Sequence, residues 1–214
     1  SASTVTVTGV DDALSDGDVA YTITASATSS DSNYNGQSET ATGTNTDNDV
    51  AGITLDPTSG LSTTEGGGTD TFTVVLDTQP TADVTVAVSS NETSEVTVWP
   101  SSITFTSGNW SSASTVTLTG VNDDVDDGNI AYTITASATS SDGDYNGQSE
   151  TTTGSNTDDD TAGITLSKTS GLSTSEAGGT DTFTVVLDSE PTANVVVALS
   201  SNDTSEATVW PSSI

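Results

Sequence analysis

The chain contains no cysteine, no histidine and no methionine, and one lysine, Lys168, is its entire basic complement. Without Cys or His there is no disulfide framework, no thiol nucleophile, no imidazole-based triad and no Cys/His metal site. Cysteine usage thus leaves the redox compartment open, and its absence is compatible with an extracellular setting. Thirty-one Asp and Glu against that one Lys give a formal charge of −30, which repels nucleic-acid phosphates and anionic lipid surfaces. No apolar run approaches the ~20 residues needed to cross a bilayer, and no basic-then-apolar signal stands at the start. Neither nucleic-acid binding nor membrane insertion is expected.

What the chain has instead is repetition. Residues 156–164, Asn-Thr-Asp-Asp-Asp-Thr-Ala-Gly-Ile, echo residues 45–53, Asn-Thr-Asp-Asn-Asp-Val-Ala-Gly-Ile, at an offset of 111. Residues 1–103 and 112–214 differ at only 24 of 103 positions, as expected of recent duplication within a tandem array. The chain divides accordingly: 51–161 is a complete repeat, 1–50 the C-terminal half of one, and 162–214 the N-terminal half of the next. Low hydrophobicity with high charge also marks disordered chains. Here, however, apolar residues alternate strictly with Thr or Ser, as in Ala20-Tyr21-Thr22-Ile23-Thr24-Ala25, and that period of two belongs to half-buried strands.

In the complete repeat the pattern predicts strands at 52–55, 70–77, 83–89, 95–99, 103–106, 115–119, 129–139 and 148–154. Gly, Pro, Asn and Asp turns separate them, and no stretch has helical periodicity. Seven or eight short strands so arranged predict an all-β protein of tandem antiparallel immunoglobulin-like β-sandwich repeats. A half-sandwich standing alone exposes its core face and its sheet edges. Each terminal half is therefore expected to be completed, either head-to-tail by another copy of the chain or by a longer continuous chain, and both routes give a linear fibre.

Carboxylates cluster at the turns. Glu65 sits in a Thr-Glu-Gly-Gly-Gly turn, Asp123, Asp124, Asp126 and Asp127 share one loop, and Asp158, Asp159 and Asp160 form the seam between repeats. Hard oxygen ligands in short turns suit Ca²⁺, which takes six to eight of them. Loops of an antiparallel sandwich alternate between its two ends, so the acidic loop and the exit of the repeat are expected to share one pole. A pair of carboxylates could in principle serve glycoside hydrolysis, but every acid lies in a repeated turn, and no enzyme is expected.

The Glu65 turn, the acidic loop 122–132 leading into an aromatic-containing strand, and the closing Asp triplet together resemble the Calx-beta domain family, over the whole repeat. That resemblance implies an immunoglobulin-like sandwich that binds Ca²⁺ near its inter-domain linker and occurs in tandem in large bacterial secreted or surface-attached proteins. It makes Glu65, Asp123, Asp127, Asp158, Asp159 and Asp160 the candidate Ca²⁺ ligands. Where the family often has Asp-Tyr in a mid-domain loop, this chain has Asn91-Glu92-Thr93-Ser94-Glu95, and one site per seam is the expectation. The function so implied is mechanical: a repeat module of an extracellular fibre or giant adhesin, such as a biofilm protein. Asn91, Asn109 and Asn202 head Asn-x-Ser/Thr sequons. Trp99, Trp110 and Trp210 are the residues that would stack on sugar, and they support the alternative of a carbohydrate-binding module with an extracellular polysaccharide as partner.

Overall fold

The computed structural model describes residues 2–214, and its regular elements are all strands. In chain order they are β1 (Val19–Ser26), β2 (Ser38–Asn45), β3 (Ile53–Asp56), β4 (Leu61–Thr64), β5 (Thr69–Leu76), β6 (Val84–Ser90) and β7 (Val96–Trp99). There follow β8 (Ser102–Phe105), β9 (Ser114–Gly120), β10 (Ile130–Ser140), β11 (Ser149–Thr157), β12 (Ile164–Leu166) and β13 (Val185–Leu187). Strands β3 to β11 form the complete repeat as two facing sheets, one ordered β4-β11-β10-β6-β8 and the other β3-β5-β9-β7. Alternate residues of each strand point inward, and Phe72, Val74, Val84, Val86, Phe105, Val116, Leu118 and Ile134 are all within 1 % of full burial. β-branched residues dominate because their side chains suit a pleated, half-buried surface.

The sequence pattern found every strand of this sandwich except β4. Leu61-Ser-Thr-Thr carries one apolar residue, too little for a period-two signal, yet Leu61, Thr63 and Glu65 are all buried. What seats the polar members is hydrogen bonding: the Thr63 hydroxyl donates to Asn156 Oδ1 at 2.8 Å. The sandwich also departs from pure antiparallel order, because β4 runs parallel to β11, pairing Leu61 with Gly154 and Thr64 with Thr157. Gly154 is needed at that crossing, since a Cβ there would strike the Leu61 carbonyl and the Tyr132 ring.

The flanking halves reproduce fragments of the same plan. The β1–β2 register, Val19 with Asn45 through Ser26 with Ser38, is the β10–β11 register displaced by one period. The β12–β13 pairing of Ile164 with Leu187 likewise repeats that of Ile53 with Leu76. Residues 4–9, whose counterparts form β9, are not a strand, because the ladders that hold β9, to β5 and β7, have no counterpart in that half. Their apolar side chains are correspondingly bare: Val5 is 79 % exposed where Val116 is 0 %.

Candidate metal centre at the repeat pole

Four segments bring acids to one end of the sandwich. Strand β4 alternates inward at Leu61 and Thr63, so the next inward position is Glu65, which is 2 % exposed. The turn before β7 buries Glu95, the β9–β10 loop supplies Asp123 and Asp127, and the chain leaving β11 supplies Asp158 and Asp160. They fall into two triads, Glu65 with Asp158 and Asp160, and Glu95 with Asp123 and Asp127, each with ligand oxygens within 4.8 Å of one another.

Five of the six residues predicted as ligands are thus placed in the triads. Asp159 is not: its side chain is exposed beside Gly66, and its contribution is a backbone N–H donated to Glu65 Oε2 at 3.3 Å. Glu95 takes a place that the resemblance did not assign to it. The available sequence signal was its return as Glu206 in the next repeat, both preceded by Thr-Ser.

Backbone amides shape the site. Asp158 accepts from the N–H groups of Asp160 at 2.8 Å and Gly128 at 2.6 Å, and these bonds hold its carboxyl below the ordinary range. Burial pushes the Glu65 carboxyl up, and the charges of Asp158, Asp123 and Glu95 add to that against the Asp159 amide. Burial and the neighbouring Asp159 and Asp124 likewise raise Asp160. Asn156, 1 % exposed, braces the second triad: its amide donates to Glu95 Oε2 and to the Val121 carbonyl, both at 3.3 Å.

No side-chain cation offsets this charge. Lys168, the one basic residue of the chain, pairs with Asp181 at 2.5 Å and brings that carboxyl down to about 2. A pole of facing carboxylates, two of them buried, leaves compensation to the solution, and its donors are the hard oxygens a Ca²⁺ ion accepts. The residues fit the ion, with three carboxylates per triad and the remaining coordination open to carbonyls and water.

The opposite pole is closed by neutral and hydrogen-bonded groups. Tyr145, 1 % exposed, donates its hydroxyl to the Thr78 carbonyl at 2.7 Å and accepts from the Thr78 N–H at 3.0 Å. Burial alone would raise the Asp142 carboxyl, but the Thr81 N–H and hydroxyl and the Asp144 N–H outweigh it and leave the group below its ordinary value.

The acidic pole of one repeat meets this opposite pole of the next. Gln79 N–H donates to the Ala13 carbonyl at 2.7 Å, and one period on Glu190 N–H donates to the Asp124 carbonyl at 2.5 Å. The Ala162 N–H adds a bond to Asp126 Oδ2 at 2.7 Å. The expected sharing of one pole by the acidic loop and the repeat's exit is therefore what the fold provides.

The three sequon asparagines are exposed. Asn91 Oδ1 accepts from Thr133 N–H at 2.6 Å, and Asn109 Oδ1 accepts from Thr106 N–H at 2.5 Å, so both side chains already brace loops. Trp110 packs on the core, whereas Trp99 and Trp210 are 76 % and 93 % exposed.

Fold and site together define an immunoglobulin-like β-sandwich repeat with a carboxylate-lined pole. No family model matches the chain, and no curated protein does. Among solved structures it is similar to the apo form of the Calx CBD1 domain, at 15 % identity and TM-score 0.40 over 52 % of this chain and all of that one. It is also similar to the periplasmic chaperone SfaE, at 10 % identity and TM-score 0.40 over 50 % of this chain and 57 % of that one. The E. coli chaperone DraB matches at 14 % identity and TM-score 0.40, over 54 % and 59 % of the two chains. The chain thus spans little more than half the length of either chaperone, and likeness at this level extends to the sandwich alone. No helix among the described residues is long and apolar enough to cross a membrane.

Proposed function

We propose that the chain is a structural repeat module of an extracellular fibre or giant adhesin, its repeats joined in a linear array and its seams stiffened by Ca²⁺. The observation that carries this reading is the pair of carboxylate triads at the pole that abuts the next repeat, in a chain whose one lysine is engaged elsewhere. Bound Ca²⁺ supplies the positive charge that these acids lack. The residues do the rest: Glu65 and Glu95 anchor the site from the sandwich interior, and the Asp158 and Asp160 carboxylates fix the linker that leaves β11. The Asp126 bond to the Ala162 amide then holds the first residues of the following repeat.

Calcium titration by calorimetry, with thermal unfolding in Ca²⁺ and in chelator, tests the site. Uptake at millimolar Ca²⁺ or below with a raised unfolding temperature is expected, and no uptake removes the ion from the reading. A second reading, a carbohydrate-binding module, rests on the exposed indole of Trp99 at the end of β7. Binding on a glycan array that disappears in Trp99→Ala would favour it over the spacer.

A further inference from the structure

We infer that Thr63 and Asn156 become joined by an ester bond, the Thr63 hydroxyl displacing ammonia from the Asn156 carboxamide with Glu95 as proton carrier. The three groups meet inside the sandwich, from β4, from β11 and from the turn before β7. Thr63 is 0 % exposed, Asn156 1 % and Glu95 5 %. Thr63 and Asn156 are direct partners in the β4–β11 ladder. The Thr63 hydroxyl stands 2.8 Å from Asn156 Oδ1, so the carbonyl carbon, one bond of about 1.23 Å further on, lies within about 4 Å of this nucleophile. The amide nitrogen faces two acceptors, Glu95 Oε2 and the Val121 carbonyl, both at 3.3 Å, which leaves the carbonyl end for Thr63. A Cβ at residue 120 would stand 2.5 Å from Oδ1, so Gly120 makes the room in which that end sits.

The fold supplies what this reaction lacks in water. Paired strands hold nucleophile and amide together, which makes the encounter effectively unimolecular. A turn of the Thr63 side chain about its Cα–Cβ bond moves Oγ from the hydrogen bond to the face of the carbonyl carbon. The Thr63 Oγ–Asn156 Cγ bond then forms and the Asn156 Cγ–Nδ2 bond breaks. The hydroxyl proton passes to Glu95 Oε2 and on to the departing nitrogen, which leaves as ammonia. Glu95 ends as it began, and no oxidant or reductant takes part. Ammonia is lost to solution, while burial keeps out the water that would hydrolyse the ester. The Thr106 hydroxyl meets Asn109 Oδ1 in the same way, at 3.1 Å, but that pair is exposed and the Asn109 nitrogen donates to a carbonyl, not a carboxylate. There the contact stays a hydrogen bond.

The test is the intact mass of the whole chain after denaturation, purified in chelator and in Ca²⁺, so that the crosslink is judged apart from the calcium reading. The parent is expected about 17 Da, one ammonia, below the mass of its sequence. Digestion at acidic residues should release two peptides joined through Thr63 and Asn156, and hydroxylamine, which cleaves esters, should separate them. Thr63→Ser keeps a nucleophile and should lose the same ammonia, whereas Thr63→Val should keep its full mass. Glu95→Gln should close at least about a hundredfold more slowly, read as the crosslinked fraction against time after expression.

Cooperative unfolding of the middle repeat in Thr63→Val separates a missing nucleophile from a lost fold. If that variant does not fold, the linked peptides of the parent and their separation by hydroxylamine decide alone. A parent at the full mass of its sequence overturns the proposal. So does a loss of about 17 Da that persists in Thr63→Val, since it would come from ring closure at Asn-Gly pairs such as Asn35-Gly36 and Asn146-Gly147. Equal rates in the parent and Glu95→Gln would overturn the part given to Glu95.

Discussion

Replacing Tyr145 by Phe should cost the middle repeat about 2–4 kcal/mol, although the change deletes one oxygen. That oxygen accepts from the Thr78 N–H, lies 2.7 Å from the Thr78 hydroxyl and donates to the Thr78 carbonyl. Thr78 is 2 % exposed, so water does not replace the lost partner. Two buried backbone groups are orphaned at about 1–3 kcal/mol each, partly recovered by relaxation of the Thr78 hydroxyl. For a unit of this size the loss is a fall of roughly 10–20 °C in unfolding temperature, readable by calorimetry on the whole chain.

Tyr34, the same residue one period earlier, is 64 % exposed, and Tyr34→Phe should leave the unfolding of the middle repeat unchanged. A cost below about 0.5 kcal/mol for Tyr145→Phe would refute the reasoning, since it would mean that water reaches Thr78.

Glu65→Gln should raise the unfolding temperature in chelator, because it removes a buried charge facing like charges, and should abolish most of the rise produced by Ca²⁺; the same sign in both conditions would count against the site. In chelator, stability should increase as pH falls from neutral through the raised Glu65 value to its ordinary 4.5. It should then be lost below about pH 4 as the lowered Asp142 and Asp158 carboxyls protonate, with Ca²⁺ moving the optimum toward neutrality; melting across a pH series reads all three. Gly120→Ala should destabilise the repeat by more than about 1 kcal/mol, since its Cβ would enter the Thr64 carbonyl and Asn156 Oδ1. Trp99→Ala, on an exposed ring, should change stability by less than about 0.5 kcal/mol, by denaturant titration.

The period, the sandwich and most strand positions could be read from residues because each rests on a local signal. Val84, Val86 and Val88 alternate, turns are marked by Gly and Asn, and Asp158 to Asp160 lie together in sequence. Strand β4 and Glu95 were not legible for one shared reason, namely that partners distant in sequence bury them. Thr63 is seated by Asn156, 93 residues away, and Glu95 by the same Asn156, 61 residues away. Residues 4–9 show the converse: they nearly repeat the sequence of β9 without forming a strand, because alternation gives a face and not a ladder, and a strand forms where backbone partners exist.

The parallel pairing of β4 with β11 sets how a repeat responds when its two ends are pulled apart. Strand β4 follows closely after a repeat begins and β11 ends just before it is left, so tension between neighbouring repeats pulls these two strands along their lengths in opposite senses. The pairs from Leu61–Gly154 to Thr64–Thr157, extended by the Glu65 N–H bond to the Thr157 carbonyl at 3.0 Å, are then strained together in shear rather than unzipped singly. A repeat wired in this way resists stretching best along the line from its entry to its exit, and Glu65 places the acidic pole at the end of that shear clamp.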